Sequence, residues 1–555
     1  MTMRNGGEIL VAALLAHDVD RAFGVPGESA LPLYDALLGN ANRIQFVTCR
    51  HEASAAHMAE ADGRMRGGPG VCMVSRGPGA MHAAIGVHTA QQNSSGLVLL
   101  VGQVPRAERG REAFQEMNYE AVFGGMTKWT AEITDTAAIP EMVAKAFHIA
   151  ASGRPGPVVL SIPEDVLDEL SDAADVAPIP LERPAPGADD LAKLQEMLQK
   201  AERPILIIGG PGWTPQAAED IKAFAATNEL PIVCAFRSQG IIDDRFAHFV
   251  GDLGFGINPK LGARIKHSDL LIVVGDRLCD ASTQGYSLIV PPKPVQPLVH
   301  IYPGKEELGR VFESVLPIHA GVVETAAALK AMKVKPPAAW RDARLAMRAE
   351  FDAYRTPGER RGKVDMARVV SFLGERLPDN AIVTNGAGNY CIWVHRYYRY
   401  RGFGTQAATK GGAMGYGFPA AIAAKLRHPE RTVVSFAGDG CFTMAMAELA
   451  TVAQQNLPLI IIVVNNGIYG AIRYHQEIHF PGHVVGTDLR NPNFAELARS
   501  YGLFGEVVDD DADFPAVFER ALAANRPALI ELRTDAEYIS PDKTIADLRT
   551  LNQKA

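Results

Sequence analysis

The sequence predicts an α/β protein built from three doubly wound parallel-sheet domains, and three observations support this prediction. First, the chain has 555 residues, enough for about three domains of ordinary size. Second, short runs of apolar and β-branched residues alternate along the chain with helix-length segments. Third, these runs show no polar alternation, so we expect strands that are buried on both faces. Parallel sheets that are covered by helices on both faces have this pattern.

The strand-forming runs fall into three groups along the chain. They are residues 71–75, 96–102 and 157–161 in the first group, 204–209 and 269–275 in the second, and 381–384, 431–436, 457–464 and 527–532 in the third. Residues 177–186 form a proline-rich linker between the groups, and residues 333–338 form a second, weaker break. We therefore expect domains at residues 1–175, 188–332 and 340–555.

Composition excludes several classes of protein. The net charge of −8 argues against nucleic acid as a partner, and 47% hydrophobic with 21% charged residues is ordinary for a globular chain. No apolar run approaches the roughly 18 residues of a spanning helix, and the first residues lack the apolar core of a signal peptide. The six cysteines lie far apart without a CxxC pair, which is typical of a reduced chain. We expect a cytoplasmic enzyme that binds neither membrane nor nucleic acid.

The most specific motif is a glycine-flanked aspartate at the end of a predicted strand. Gly438 and Gly440 enclose Asp439, and Asn466 follows Asp439 by 27 residues, after a second apolar strand. Glycines allow a tight turn, and a helix starting near Thr443 would offer N–H groups to phosphate. Carboxylate and amide oxygens at neighbouring strand ends are ligands that Mg²⁺ prefers. A Gly-Asp-Gly tripeptide alone is more often a plain turn, but the asparagine at this spacing favours a binding site.

This arrangement resembles the diphosphate-binding motif of the thiamine-diphosphate enzymes. Over nearly its whole length the chain resembles the branch that contains acetolactate synthase, pyruvate oxidase and benzoylformate decarboxylase. The resemblance implies a pyrimidine-binding domain, a central Rossmann-like domain and a diphosphate-binding domain, in this order. It also implies that Asp439, the side chain of Asn466 and the main-chain carbonyl of Ile468 hold Mg²⁺. The implied cofactor-binding turn consists of Gly438, Asp439, Gly440 and Cys441.

Two further segments carry the resemblance. Residues 50–56 contain Glu52, and the glutamate at this position in the family hydrogen-bonds the aminopyrimidine ring of the cofactor. The alternative for Glu52 is a helix-start carboxylate that the helix dipole favours. Residues 410–419 contain Gly412, whose counterpart in relatives accepts a hydrogen bond from the cofactor amine, and Met414, whose counterpart bends the cofactor. The alternative for Met414 is a gap-filling core methionine.

Other positions match the family less specifically. Residues 384–389, which include Gly388 and Asn389, resemble a second phosphate-contacting loop. Gln103 and Gln115 lie in stretches that face the active site in acetolactate synthases. The alternative for both glutamines is that they are solvated polar groups of loops.

The segment after Asn466 departs from the acetolactate synthases. His475 stands where the synthases usually have a tryptophan that shapes the site for a second 2-oxo acid, and Ala471 replaces a methionine. Arg473, His475 and Gln476 either contact a polar substrate or form a solvated helix face. Of all the residues that match the family, we predict three to be catalytic, namely Glu52, Gln115 and His475.

The central domain departs from the FAD-binding synthases as well. Residues 300–303 replace the acidic strand end that a dinucleotide ribose would need. The glycine-rich turn at residues 209–212 follows a strand, but such a turn alone is a weak nucleotide motif. FAD is therefore a disfavoured second cofactor.

Together these observations predict a thiamine-diphosphate- and Mg²⁺-dependent 2-oxo acid decarboxylase or carboligase that resembles acetolactate synthase. One alternative within this class is decarboxylation with release of an aldehyde. Alternatives from other classes are a flavin- or nicotinamide-dependent oxidoreductase and a catalytically silent homologue. In the family, the domains that carry Glu52 and the diphosphate motif come from different subunits. We therefore expect a homodimer or homotetramer that acts on a small 2-oxo acid.

Overall fold

The computed structural model describes residues 3–551, which form two compact units. The first unit contains the residues up to Glu182 together with Ile422–His428 and Ala445–Asn456, and the second contains Arg183–Ala421, Pro429–Met444 and the residues from Leu457. Within these residues, one six-stranded sheet lies in the first unit and two lie in the second. All neighbouring strands in the three sheets run parallel.

The sheet of the first unit has the strand order β3-β2-β4-β5-β7-β6. The strands are β1 (Arg4–Asn5), β2 (Arg21–Gly24), β3 (Gln45–Thr48), β4 (Gly70–Val74), β5 (Leu97–Gln103), β6 (Trp129–Glu132), β7 (Pro157–Pro163) and β8 (Leu170–Ser171). The helices are α1 (Gly6–Ala16), α2 (Leu31–Gly39), α3 (Glu52–Arg66), α4 (Gly77–Asn93), α5 (Tyr119–Phe123), α6 (Ile139–Ala151) and α7 (Glu164–Asp168). β1 and β8 form a separate antiparallel pair. Every residue of β4, β5 and β7 is buried, as expected of strands covered on both faces.

The central sheet belongs to the second unit and has the order β11-β10-β9-β12-β13-β14. The strands are β9 (Pro204–Ile208), β10 (Ile232–Cys234), β11 (Phe249–Asp252), β12 (Leu270–Val274), β13 (Leu298–Tyr302) and β14 (Leu316–His319). The helices are α8 (Ala188–Lys200), α9 (Pro215–Thr227), α10 (Pro259–Lys266), α11 (Val322–Lys330) and α12 (Ala338–Tyr354). Numbered within the sheet, this order is 3-2-1-4-5-6, which is the order of dinucleotide-binding domains. Leu206 and Ile208 join one apolar cluster, and Ile205 and Ile207 join another, so helices cover both faces of the sheet.

The third sheet has the order β16-β15-β17-β18-β20-β19. The strands are β15 (Ile382–Asn385), β16 (Gln406–Ala408), β17 (Val433–Gly438), β18 (Ile460–Asn465), β19 (Phe504–Val508) and β20 (Ala528–Arg533). The helices in this part of the chain are α13 (Met366–Arg376), α14 (Tyr390–Tyr397), α15 (Gly417–Arg427), α16 (Asp439–Thr443), α17 (Leu449–Gln454), α18 (Gly470–His479), α19 (Phe494–Ser500), α20 (Phe514–Ala523) and α21 (Ile545–Leu551). Numbered from its own first strand, this sheet has the same order, 2-1-3-4-6-5, as the parallel sheet of the first unit.

The α/β fold class predicted from the sequence is thus confirmed, with three parallel sheets flanked by helices. The predicted helix start near Thr443 is wrong, because α16 begins at Asp439 and ends at Thr443. In the part of the chain that the structure describes, no helix combines the length and apolar character needed to cross a bilayer.

Candidate active site

Asp439 lies directly after β17, in the turn that starts α16. Its side chain is buried, and its carboxylate accepts hydrogen bonds from the backbone N–H of Gly440 at 2.8 Å and of Gly467 at 2.8 Å. Burial raises the pKa of Asp439, whereas these hydrogen bonds oppose the increase because they stabilise the ionised form. The bond from Gly467 ties the carboxylate to the loop that follows the neighbouring strand.

Asn466 follows β18, which pairs with β17 so that Gly438 lies opposite Val464. This register places the two strand ends side by side at one edge of the sheet. Within the second loop, the Asn466 side-chain oxygen accepts a hydrogen bond from the N–H of Ile468 at 3.2 Å. The structure therefore brings the three residues predicted to bind metal into two adjoining loops.

Asn491 also belongs to this cluster, although it was not predicted from the sequence. Its amide donates hydrogen bonds to Oδ2 of Asp439 at 2.7 Å and to Oδ1 of Asn465 at 2.9 Å. Asn465 in turn donates to Glu531 at 2.9 Å. One asparagine thus connects the ends of both strands, although no motif in the sequence marks it.

The two glycines beside Asp439 are required by close packing. A Cβ on Gly440 would lie 2.4 Å from the ring of Tyr469, and one on Gly438 would lie 2.9 Å from the ring of Tyr390. Such distances are too short for carbon contacts, so a side chain at either position would force the turn or the tyrosine ring to shift. Tyrosine rings therefore flank the turn that holds the aspartate.

Cys441 joins the turn to two other predicted segments. Its sulfur accepts hydrogen bonds from the N–H of Gly415 at 3.2 Å and from the hydroxyl of Tyr390 at 3.5 Å. Asn389, in the loop after β15, donates to the carbonyl of Gly470 at 3.3 Å. The Tyr390 hydroxyl also accepts a hydrogen bond from the N–H of Gly386 at 3.0 Å. The three segments at residues 384–389, 410–419 and 438–441 therefore meet, together with the start of α18.

Residues 410–419 approach this cluster from a loop. Met414 is half-buried against the apolar core of the third sheet, and Gly412 is exposed with a left-handed φ of +67°. Gly388, in the neighbouring loop, also has a positive φ, of +144°. Lys410 forms an ion pair with the buried Asp276, which follows β12 of the central sheet. Burial disfavours the charge of Asp276, but the lysine keeps the pKa of this carboxyl below its ordinary value.

Glu52 is the first residue of α3 in the first unit. His51 caps this helix, since its Nδ1 accepts a hydrogen bond from the N–H of Ala53 at 3.1 Å. Oε2 of Glu52 lies 2.8 Å from Nδ1 of His82 on α4, and the rings of His51 and His82 are in tilted contact with centroids 4.6 Å apart. His82 was not predicted from the sequence, because 30 residues separate it from Glu52 and no motif joins them.

Glu448 holds the backbone just before α3. This residue belongs to the first unit, and its fully buried carboxylate accepts hydrogen bonds from the N–H groups of Arg50 and His51, each at 3.0 Å. Burial raises the pKa of Glu448, and a hydrogen bond from Thr451 opposes the increase. The position of Glu52 thus depends on a buried acid that lies nearly 400 residues away in the sequence.

The two predicted glutamines of the first unit have different environments. Gln115 is half-buried with a left-handed φ of +66°, and its carbonyl accepts a hydrogen bond from the N–H of Gly77 at 3.1 Å. A non-glycine residue adopts this conformation at a cost, and such strain is concentrated at functional sites. Gln103 is fully buried, and its amide donates to the carbonyl of Met117 at 2.9 Å. Gln103 is thus held within the protein core.

His475 lies on α18 with an exposed side chain, and its ring stacks on that of His479 at 6.3 Å. Arg473 on the same helix pairs with the buried Glu477 at 3.1 Å, and Gln476 donates to the carbonyl of Val485 at 2.9 Å. Both have partners in their own chain. Of these three polar residues, His475 has the most exposed side chain, so it is the one most accessible to a substrate.

Comparison with known proteins identifies the class. The thiamine pyrophosphate enzyme family matches through its N-terminal TPP binding domain at residues 4–122, its central domain at residues 191–329 and its C-terminal TPP binding domain at residues 386–532. The chain belongs to this family, as the resemblance in the sequence implied.

Individual relatives show which members of the thiamine pyrophosphate enzyme family this chain resembles. The chain is 32% identical to the acetolactate synthase large subunit of Parasynechococcus marenigrum, over 95% of this chain and 87% of the relative. It is 30% identical to the probable acetolactate synthase large subunit of Methanocaldococcus jannaschii, over 97% and 93%, and to the acetolactate synthase isozyme 2 large subunit of Escherichia coli, over 96% and 96%. The protein is therefore a thiamine-diphosphate enzyme with a sequence like that of acetolactate synthases.

Proposed function

We propose that the protein is a Mg²⁺-dependent 2-oxo acid decarboxylase and carboligase of the acetolactate synthase type. The observation that carries this proposal is the oxygen cluster at the ends of β17 and β18, in which Asp439 is buried and Asn466 half-buried. Asp439 and Asn466 supply oxygen atoms there, and the amide of Asn491 donates a hydrogen bond to Asp439. Mg²⁺ is usually bound by few protein oxygens together with phosphate oxygens, so this donor set fits a metal diphosphate.

The residues around the cluster also fit the cofactor. Thiamine diphosphate supplies an electron sink that allows a 2-oxo acid to lose CO₂. In our proposal, Asp439, Asn466 and the carbonyl of Ile468 hold the metal, while Gly438, Gly440 and Cys441 bind the diphosphate. We also assign Gly388 and Asn389 to the cofactor site, a proposal supported by the hydrogen bond from Asn389 to Gly470 at the start of α18.

The protein's own acid–base group in this proposal is Glu52. It would hydrogen-bond the pyrimidine ring of the bound cofactor and hold a proton there. The carbonyl of Gly412 would accept a hydrogen bond from the amine of the bound cofactor, and Met414 would pack against its rings. The half-buried position of Met414 against an apolar cluster supports this role.

Release of an aldehyde is a second candidate outcome of the reaction. One observation favours it: His475 and Ala471 occupy the positions of a tryptophan and a methionine that shape the acceptor site in the synthases. His475 is exposed on α18, and Gln115 has a strained backbone. We propose both as residues that contact the substrate and control which product forms.

A panel of 2-oxo acids tests the proposed function. The purified enzyme is incubated with thiamine diphosphate, Mg²⁺ and each acid, and both CO₂ and organic products are measured by mass spectrometry. We expect CO₂ with at least one acid, and the mass of the product separates an aldehyde from a condensed hydroxy acid. An Asp439→Ala variant measured in parallel gives the background. If no acid yields CO₂ above this background, the proposal is wrong.

A further inference from the structure

We propose that His82 carries protons between solvent and the carboxyl group of Glu52. This inference rests on the proposed function, because it assumes that Glu52 is the acid–base group. Its basis is the contact of 2.8 Å between Nδ1 of His82 and Oε2 of Glu52. Among the residues that the structure describes, His82 is the one side chain that hydrogen-bonds this carboxyl group.

The exposed fractions of the two side chains show which of them faces solvent. The Glu52 side chain is 14% exposed, whereas the His82 side chain is 54% exposed. Water therefore reaches the imidazole far more readily than it reaches the carboxyl group. An imidazole has two nitrogens, so it can contact an acid on one side and water on the other.

His51 restricts the orientation of the His82 ring. The centroids of the two rings lie 4.6 Å apart, and their planes are tilted by 30°. His51 is itself held, because its Nδ1 accepts a hydrogen bond from the N–H of Ala53. Nδ1 of His82 thus stays close to Glu52, and rotation of the ring is limited.

The stoichiometry of the proposed reaction requires a route for protons. A 2-oxo acid anion takes up one proton when it becomes CO₂ and an aldehyde, and two such anions take up one proton when they condense with loss of CO₂. In the relay, Nδ1–H of His82 gives its proton to an ionised Glu52, and Nε2 takes a proton from water. The imidazole remains neutral, and exchange with water restores the first tautomer.

A metal ion is the competing occupant of this place. Ligand atoms of His51, Glu52 and His82 all lie within 4.8 Å of one another, and two imidazoles with a carboxylate are ligands for a transition metal. However, Nδ1 of His51 already accepts the N–H of Ala53, and Nδ1 of His82 contacts Glu52 directly. These contacts favour the relay.

His82→Asn tests the relay, because asparagine keeps a hydrogen-bond donor but cannot pass a proton through a second nitrogen. The first measurement is exchange of the acidic C2 proton of bound thiamine diphosphate with D₂O, by rapid quenching and NMR. We expect exchange to slow about 100-fold, the usual size of an acid–base contribution. Calorimetry should show unchanged cofactor affinity. Added imidazole should restore much of the exchange rate, which a structural role would not explain.

His88→Asn is the matched control, since His88 lies on the same helix and is partly exposed. We expect it to exchange like wild type. Should His82→Asn melt at a lower temperature, His82→Gln repeats the test with a longer amide. Wild-type exchange rates in the folded His82 variants would overturn the inference, and so would a lack of response to imidazole. A stoichiometric transition metal in the purified enzyme that His82→Asn loses would also overturn it.

The Glu52→Gln variant separates the two proposals. If this variant keeps full turnover, the role of Glu52 in the proposed function is wrong. If it is inactive while His82→Asn exchanges at the wild-type rate, only the relay is wrong.

Discussion

At the scale of single residues, Asn491 connects the two loops that carry the predicted metal ligands. Its amide contacts both Asp439 and Asn465, so it fixes the carboxylate relative to the end of β18. Residues that orient metal ligands in this way are nearly as important as the ligands themselves.

We predict that Asn491→Ala weakens binding of Mg²⁺ and thiamine diphosphate together. The loss should be about 10- to 100-fold in affinity, the usual effect of removing a residue that orients a metal ligand. Calorimetric titration of the purified protein measures it. Asn40→Ala is a suitable control, because Asn40 lies just after α2 and its amide donates to the carbonyl of Ala36 in that helix, far in sequence from the metal motif. Unchanged affinity in Asn491→Ala would contradict the role given to this amide.

Glu52 yields a second prediction at this scale. Glu52→Gln preserves the shape of the side chain and its contact with His82 but removes the ionisable group. We expect turnover to fall at least about 100-fold, with cofactor affinity nearly unchanged. Steady-state rates and calorimetry on the same preparation measure both quantities. Glu108→Gln, at an exposed site of the same unit, should keep wild-type turnover.

At the scale of secondary-structure elements, Glu477 connects α18 to α21. Its buried carboxylate pairs with Arg549 at 2.7 Å and with Arg473 at 3.1 Å. The hydrogen bond from Arg549 is the main reason that the pKa of Glu477 falls from 4.5 to about 2. The ion pairs of Glu477 with Arg473 and Arg549 thus hold α18, which carries His475, against α21.

This fastening predicts a pH dependence of stability. Because the folded pKa of Glu477 lies below its unfolded value, the stabilisation is complete above about pH 4.5 and is lost as the pH falls towards about 2. Wild type should therefore melt at a higher temperature than Glu477→Gln at pH 6, and the difference should shrink below pH 4.5. Thermal unfolding followed by circular dichroism measures the difference. A difference that stays constant down to pH 3 would contradict this assignment.

At the scale of the whole molecule, Glu52 and the diphosphate motif belong to different units of the chain. We propose, from the family resemblance, that two copies of the chain complete each active site. Glu52→Gln and Asp439→Ala would then damage opposite sides of one site.

Mixed dimers of these two variants test the assembly. If two chains form each site, coexpression should restore about a quarter of wild-type activity, because half of the dimers are mixed and each has one intact site. Each variant alone should be inactive. If each chain builds its own site, the mixture stays inactive, since every site then carries one lesion.

The fold class was predicted correctly from local sequence, whereas the motifs nominate site residues whose roles stay predictions. Fully buried strands such as β5 and β18 were recognised because they are continuous apolar runs. β6, with every residue only half-buried, and β16, with three residues, were not recognised. The helix start near Thr443 was wrong because the Gly-Asp-Gly turn itself begins α16.

By itself, the sequence determined the α/β class and the motifs around Glu52 and Asp439, because apolar runs and motif spacings are local properties of the chain. Only the tertiary structure decided which side chains hold these acids. His82 lies 30 residues from Glu52, and Asn491 lies 52 residues from Asp439. Such contacts depend on how α4 and the loop before α19 pack, and nothing in the spacing of the residues encodes that packing.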